Sequence, residues 1–142
     1  MTQPIRAMIV EGNALFGQLL ESMLHSQFPS MEFVATADEK EAMAKISSFL
    51  PDLAFIDVRL PDGRAFELIR KMKTHRPNVA VIALSSYDFP EYREEALQKG
   101  ADIFISKDSA AGDYFQLIES ILAARGPLPE GDTGVGPESG EA

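Results

Sequence analysis

Five short apolar runs, each followed by a segment whose apolar residues recur at helical spacing, constrain the fold of this chain more than any other feature. The runs cover residues 7–10, 31–35, 53–56, 79–84 and 102–106. Strict alternation of strand and helix means parallel strands joined by right-handed crossovers, with helices on both faces of the sheet. Five strands are too few to close the eight-stranded barrel that the same alternation can build. The pattern therefore predicts an open sheet.

The fold class that fits is α/β, a doubly wound five-stranded parallel sheet with five helices in the flavodoxin-like order 2-1-3-4-5. Asn13 is predicted to cap the first helix, whose wide apolar stripe, including Leu15 and Leu19, is expected to face the sheet. Asp38, with an acid three residues later, is predicted to start the second helix as a capping box. The last helix is predicted to begin at Ser109 or a neighbour.

The chain divides into a predicted folded domain, residues 1–125, and a C-terminal tail, residues 126–142. The first part has the size of one domain with a single hydrophobic core. The tail contains five Gly, three Pro and four acids, with no Lys or Arg. Such a segment buries too little apolar surface to offset the entropy lost on ordering. We predict a disordered acidic tail, or a linker to a downstream domain.

Charge and residue content exclude several functions. The net charge of −9 at pH 7 argues against direct nucleic-acid binding, which needs a basic surface. The chain has no cysteine, which excludes disulfides, thiolate metal sites and a cysteine nucleophile. No apolar run approaches the roughly 18 residues that span a bilayer, and Glu11 interrupts the first apolar stretch before a signal peptide could form. We expect a cytoplasmic protein with no membrane contact.

Four polar side chains follow predicted strands at their carboxyl ends. Glu11 follows the first strand and Asp57 ends the third, while Ser85 and Lys107 follow the fourth and fifth. The carboxyl ends of parallel strands meet at one edge of an open sheet, where this fold class binds its ligands. We therefore expect these four side chains to form a single site. The Pro-Asp-Gly sequence at 61–63 is predicted to turn the chain after Asp57.

This arrangement resembles the receiver domain of two-component response regulators, over nearly all of the predicted folded part. The resemblance rests on Asp57 before a Leu-Pro-Asp-Gly turn, on Ser85 after a Val-Ile-Ala-Leu strand, and on Gly-Ala-Asp at 100–102 leading to Lys107. It implies a phosphorelay signalling switch rather than an enzyme. Asp57 would accept a phosphoryl group from a sensor histidine kinase or a phosphotransfer protein. Lys107 would pair with the phosphoryl oxygens, and Ser85 would hydrogen-bond one of them.

The resemblance also implies a cofactor, a switch and a partner surface. Mg²⁺ would be held by the carboxylates of Glu11 and Asp57 and by the backbone carbonyl of Arg59. Phe104, on the fifth strand, stands at the position of a switching aromatic residue that acts together with Ser85. The face formed by helix four, strand five and helix five is where the family places partner contacts, including those of homodimers.

One position departs from the family pattern and leaves other hypotheses open. The acidic pair expected after strand one is Glu11-Gly12 here, so the second metal-binding acid is missing and Mg²⁺ is expected to bind weakly. The alternative hypothesis is a receiver-like interaction module that works without phosphorylation. A flavin-binding protein is disfavoured because Glu11 would repel a phosphate group. An aspartyl phosphohydrolase is disfavoured because Arg59 stands where a second acid is expected.

Overall fold

The computed structural model describes residues 4–125, in which five strands and five helices alternate along the chain. The strands are β1 (Arg6–Val10), β2 (Glu32–Thr36), β3 (Leu53–Asp57), β4 (Ala80–Ser85) and β5 (Ile103–Ser106). The helices are α1 (Ala14–Gln27), α2 (Glu39–Phe49), α3 (Ala65–His75), α4 (Pro90–Lys99) and α5 (Ala111–Arg125). None of these helices is both long enough and apolar enough to cross a membrane. The disordered tail predicted for 126–142 lies outside the described residues.

All five strands are parallel and lie in the order β2-β1-β3-β4-β5, which confirms the predicted fold class. Strand β3 is at the centre, and each of its residues is buried. The register places Val10 beside Ile56, and Asp57 beside Leu84. Strands β1, β3 and β4 therefore end together at one edge of the sheet, and the strand order reverses between β1 and β3 at this edge.

The sheet separates two apolar layers, because successive side chains of a strand point to opposite faces. Met8 of β1 belongs to the layer covered by α2, α3 and α4, in which Leu68 and Met72 are fully buried. Its neighbour Ile9 belongs to the layer covered by α1 and α5, together with Leu24. Burial on both faces explains the nearly continuous apolar strand sequences. Polar side chains are accommodated where the strands leave these layers.

Helix α1 buries a narrower face than the sequence predicted. Leu20 and Leu24 are buried, but Leu15 and Leu19 are 65% and 60% exposed, so the prediction that these two leucines face the sheet was wrong. Steps of four residues keep Phe16, Leu20 and Leu24 on one side of the helix. Leu15 and Leu19 precede the first two of these by one residue, a rotation of about 100° around the helix axis. Helix α1 consequently presents two large apolar side chains on its surface.

Two of the predicted helix caps are confirmed. The side chain of Asn13 accepts a hydrogen bond from the Phe16 N–H at 3.1 Å. The side chain of Asp38 accepts one from the Glu41 N–H at 2.9 Å, and Glu41 in turn accepts one from the Ala37 N–H at 2.8 Å. These bonds satisfy backbone donors that the first turn of a helix leaves unpaired. Helix α5 begins at Ala111, two residues after Ser109, whereas the sequence placed its start at Ser109 or a neighbour.

Candidate functional site

Three charged side chains meet at the carboxyl edge of the sheet, and we call them the carboxylate–lysine cluster: Glu11, Asp57 and Lys107. The Lys107 Nζ atom lies 2.7 Å from Glu11 Oε2 and 2.8 Å from Asp57 Oδ2. All three side chains are nearly buried; even the lysine side chain is only 11% exposed. The structure thus brings together three residues that the sequence placed at the ends of three different strands.

Backbone N–H groups hold the other oxygen of each carboxylate. Asp57 Oδ1 accepts a hydrogen bond from the Arg59 N–H at 2.9 Å. Glu11 Oε1 accepts one from the Asn13 N–H at 3.0 Å. Each carboxylate therefore has one oxygen on the backbone of the following loop and one oxygen directed at Lys107. This arrangement fixes the orientation of both acids at the sheet edge.

The Lys107 ammonium group makes a different kind of contact with each neighbour. It donates a hydrogen bond to Asp57 Oδ2. Its contact with Glu11 Oε2 is a close ion pair outside hydrogen-bond geometry, so among residues 4–125 that buried oxygen has no hydrogen-bond partner. The ring centroid of Phe16, in the first turn of α1, lies 4.7 Å from Nζ. This distance is within the range of a cation–π interaction.

Burial and neighbouring charges shift the pKa values of the cluster. Burial raises the pKa of the Glu11 carboxyl above its ordinary value, and the adjacent Asp57 carboxylate raises it further. Burial by itself lowers the pKa of Lys107, but its interactions with Asp57 and Glu11 outweigh this effect and leave the pKa raised. Lys107 is therefore firmly protonated. With both acids ionised, the three side chains carry a net charge of −1.

The cluster lies at one end of an open cleft of about 600 Å³. Phe66 and Tyr92 line one wall, with their ring centroids 6.5 Å apart. The exposed Arg59 lies at the rim, where its guanidinium group stacks over the ring of Tyr87 at 5.1 Å from the centroid. A small group carried by a partner can therefore reach Asp57 from solvent.

The space beside Gly12 is closed by Pro61. A Cβ atom at position 12 would lie 2.7 Å from the Pro61 Cδ atom and 2.8 Å from its Cγ atom. Close-packed atoms do not approach each other this closely, so a side chain at position 12 requires the proline ring to move. Gly12 therefore removes a metal-binding acid from the site and also makes room for the Pro61 ring.

The two acids that remain at the site, Glu11 and Asp57, are suitable ligands for a divalent cation, but they are few. Glu11 and Asp57 direct one oxygen each at the same point, and the Glu11 oxygen is the buried one that lacks a hydrogen bond. Carboxylate oxygens are the ligands that Mg²⁺ prefers. However, no group of three or more acidic, His or Cys side chains is placed to bind a metal within residues 4–125. The third ligand named from the sequence is a backbone carbonyl, that of Arg59.

Ser85 and Phe104, the two predicted switch residues, are held by the segment that follows β4. The buried Ser85 hydroxyl donates a hydrogen bond to the Tyr87 carbonyl at 2.7 Å and accepts one from the Tyr87 N–H at 2.9 Å. The guanidinium group of Arg93 lies over the Phe104 ring, 4.8 Å from its centroid. Arg93 also pairs with Asp88 at 3.0 Å. In this structure both switch residues are therefore engaged with α4 or the loop before it.

Several residues that contact the predicted site were given no site role from the sequence: Asn13, Phe16, Pro61, Tyr87 and Arg93. Only Asn13 carried a usable signal, because a helix cap two residues after Glu11 places its backbone N–H beside the strand end. The other contacts depend on which side chains from distant segments meet in space. Residue spacing within one segment does not reveal them.

The fold and the cluster correspond to a known protein family. A family model described as the response regulator receiver domain matches residues 7–119. The chain belongs to this receiver family. The receiver is the signalling domain of response regulators in two-component systems, and the resemblance identified from the sequence is confirmed.

Named relatives and a solved structure agree with this assignment. The receiver is 29% identical to the DNA-binding transcriptional activator DevR/DosR of Mycobacterium tuberculosis, over 87% of this chain and 57% of that protein. It is 30% identical to a protein-glutamate methylesterase/protein-glutamine glutaminase of Koribacter versatilis, over 91% of this chain and 38% of that protein. A CheY-like receiver domain protein from Methanospirillum hungatei superimposes with a TM-score of 0.78 at 28% identity, covering 86% of this chain and 96% of that one.

These coverages show how the chain relates to longer proteins. It spans 57% and 38% of the two sequence relatives but nearly all of the structural neighbour. The similarity therefore concerns the receiver part of those relatives. It does not extend to the remaining portions of the activator and the methylesterase.

Proposed function

We propose that this receiver accepts a phosphoryl group on Asp57. The observation that carries the proposal is the Asp57 carboxylate at the end of the central strand, oriented by the Arg59 N–H and Lys107 and facing an open cleft. The phosphoryl donor is a phosphohistidine of the partner protein. An oxygen of the Asp57 carboxylate forms a bond to phosphorus while the bond between phosphorus and the histidine nitrogen breaks. The donor imidazole keeps that electron pair. Such a transfer depends mainly on positioning and charge stabilisation, which the cluster supplies.

Lys107 and Ser85 act on the phosphoryl oxygens in this proposal. Lys107 already donates to Asp57, and its charge remains at the site when negative charge moves from the carboxylate onto the phosphoryl group. Ser85 must first release the Tyr87 carbonyl before its hydroxyl can donate to a phosphoryl oxygen. Phosphorylation would then shift the population of conformers in the segment after β4, with Phe104 as the second switch residue.

A weak magnesium site accompanies this function. When bound, Mg²⁺ neutralises negative charge on the phosphoryl oxygens. Glu11 and Asp57 would hold the ion together with the Arg59 carbonyl, and Gly12 contributes no ligand. The Lys107 ammonium already lies between the two carboxylates at 2.7 and 2.8 Å. Lys107 therefore competes with the metal for the same oxygens, and we expect low affinity.

Two surfaces support protein partners. Leu15 and Leu19 are exposed in the first two turns of α1, directly after the loop that holds Glu11. A helix of a sensor histidine kinase or phosphotransfer protein could bury these leucines while presenting its phosphohistidine to the cleft. A second surface is the face of α4, β5 and α5, where all of β5 is partly exposed and Leu97 is exposed. We assign homodimer formation to that face.

Labelling of the intact chain by acetyl phosphate, read out by intact mass, tests the assignment of Asp57. We expect the wild type to gain the mass of one phosphate and Asp57→Asn to gain none. Asp88→Asn, a change of the same kind at an exposed residue that does not line the cleft, should label like the wild type. Persistent labelling of Asp57→Asn would show that another residue is the acceptor.

The same labelling, repeated across a magnesium titration that starts in excess chelator, tests the weak metal site. We expect the rate to rise only gradually, with no plateau at micromolar Mg²⁺. Saturation at micromolar Mg²⁺ would contradict weak binding.

A further inference from the structure

The Lys107 ammonium group is enclosed by two carboxylates and one aromatic ring. Glu11 and Asp57 approach it at 2.7 and 2.8 Å, and the Phe16 ring centroid lies at 4.7 Å. An aromatic face attracts a cation through its quadrupole and needs no lone pair to do so. Phe16 therefore attracts the charge of Lys107 while competing far less than an oxygen for its N–H groups.

The hydrogen-bonding state of Lys107 shows why this difference matters. An ammonium group has three N–H donors, and one of them bonds to Asp57 Oδ2. The close contact with Glu11 lies outside hydrogen-bond geometry. The two carboxylates therefore engage at most two of the three N–H donors, and at least one remains for the phosphoryl oxygens.

The attraction by the ring is also independent of phosphoryl transfer. When Asp57 becomes an acyl phosphate, its carboxylate charge is lost and negative charge appears on the phosphoryl oxygens instead. Glu11 keeps its charge, and its Oε2 atom, 2.7 Å from Nζ, would draw the ammonium toward itself. The Phe16 ring adds an attraction on the ammonium that does not depend on the state of Asp57.

Phe16 is itself fixed to the same site. The side chain of Asn13 accepts a hydrogen bond from the Phe16 N–H at 3.1 Å, and the Asn13 N–H donates to Glu11 Oε1 at 3.0 Å. The ring packs against the apolar layer between the sheet and α1 and α5. The first turn of α1 is therefore tied to the cluster, and the ring is held next to Lys107.

From these contacts we infer that Phe16 is a positioning residue for phosphoryl transfer. Its ring holds the Lys107 ammonium at the end of the cleft with an N–H donor available for the phosphoryl group. This inference rests on the proposed function of Asp57. It assigns to a side chain of α1 an effect on the transfer rate that acts through Lys107 alone.

The test compares initial rates of labelling by acetyl phosphate in the full chain. Phe16→Leu keeps an apolar side chain but removes the ring, and we expect labelling to be about fivefold slower, the size of one cation–π contact. Phe16→Tyr keeps the ring and should restore the rate. Phe28→Leu is the matched control, because Phe28 lies at the other end of α1 in the same apolar layer, against Phe115. It should label at the wild-type rate.

A second series separates the ring's charge distribution from its shape. Replacing Phe16 by phenylalanines with one, two and three ring fluorines preserves packing but weakens the negative face of the ring. The labelling rate should fall with each fluorine. Equal rates across this series, with the wild type labelled and Asp57→Asn unlabelled, would overturn the inference and leave the proposed function intact. Failure of the wild type to label would instead overturn the proposed function.

Discussion

Two regions border the cleft, and they are held by interactions of different strength. The carboxylate–lysine cluster consists of buried charges at 2.7 and 2.8 Å, where loss of one partner leaves others unpaired away from water. Apart from the buried Ser85, the segment of residues 85–93 is held by contacts at the surface. Its half-exposed Tyr87 and Phe89 stack with centroids 5.7 Å apart, and Arg93 pairs with an exposed Asp88. Contacts of this second kind are worth about 1 kcal/mol or less each.

The comparison indicates where the receiver can change shape. The cluster supplies fixed charge at the point of chemistry, and its rearrangement would separate ion pairs. The 85–93 segment contains Ser85, whose hydroxyl is held, among the described residues 4–125, by the backbone of Tyr87 alone. Since the contacts of this segment are individually weak, we expect a phosphoryl group at Asp57 to compete for the Ser85 hydroxyl and to loosen the segment. The signal is therefore expected to leave the site through residues 85–93.

Removing the cation should have the largest effect on stability. In Lys107→Met the carboxylates of Glu11 and Asp57 face each other without compensation, and we expect the free energy of unfolding to fall by about 3 kcal/mol at neutral pH. Urea unfolding followed by circular dichroism measures the change. Lys99→Met is the control, since Lys99 pairs with Glu95 at the surface at 3.7 Å and should cost less than about 0.5 kcal/mol. Equal losses in both variants would erase the contrast between cluster and surface.

The raised pKa of Glu11 predicts an intermediate, pH-dependent effect. Burial and the Asp57 carboxylate raise the pKa of Glu11 in the folded state above its ordinary value of 4.5. The folded state then binds this proton more tightly than the unfolded state does. The resulting stability is fully present below pH 4.5 and is lost as the pH rises through the folded-state value. Glu11→Gln removes this loss.

We therefore expect Glu11→Gln to gain stability relative to the wild type as the pH is raised from 4 to neutral. The urea midpoints of both proteins across that range provide the measurement. A difference between them that stays constant with pH would contradict a raised Glu11 pKa. A difference that grows in the opposite direction would mean that Lys107 lowers the pKa more than burial raises it.

The smallest stability change is expected in the 85–93 segment, where the effect should appear in dynamics instead. Arg93→Ala removes one exposed ion pair and the contact with the Phe104 ring, and should lower the free energy of unfolding by less than about 1 kcal/mol. Amide exchange across 85–99 should nevertheless become faster. Arg70→Ala, which removes an exposed ion pair with Glu67 on α3, should leave that exchange unchanged. If Arg93→Ala lowered the free energy of unfolding by more than about 2 kcal/mol, this segment would be held as firmly as the carboxylate–lysine cluster.

The fold and the location of the site could be predicted because both depend on local patterns. Alternating strand and helix signals determined the parallel sheet, and the carboxyl ends of its strands determined that Glu11, Asp57 and Lys107 would meet. The orientation of α1 could not be predicted in full. Apolar spacing shows that Leu15 and Leu19 are unusual for a solvated face, but it does not distinguish contact with the sheet from exposure to a partner.

The finer organisation of the site was beyond sequence reasoning because it rests on contacts between distant segments. Phe16 meets Lys107 across ninety-one positions of sequence, and Pro61 fills the space next to Gly12 across forty-nine. Such contacts depend on side-chain rotamers and on how loops pack after the sheet has formed. The absence of an acid at position 12 was visible in the sequence. The proline ring that occupies the adjacent space was not.

The bond between Ser85 and Tyr87 has an optical consequence. The chain contains three Tyr and no Trp, so its intrinsic fluorescence comes from tyrosine alone. The backbone of Tyr87 makes two hydrogen bonds with the Ser85 hydroxyl, and Tyr92 lines the cleft. The third, Tyr114, is buried, and burial raises its pKa to about 12, which keeps its phenol protonated over the usable pH range. If the Ser85 hydroxyl leaves the Tyr87 backbone, the Tyr87 ring beside the site is free to change its surroundings, while Tyr114 supplies a constant background. Tyrosine emission would then report the switching without any added dye.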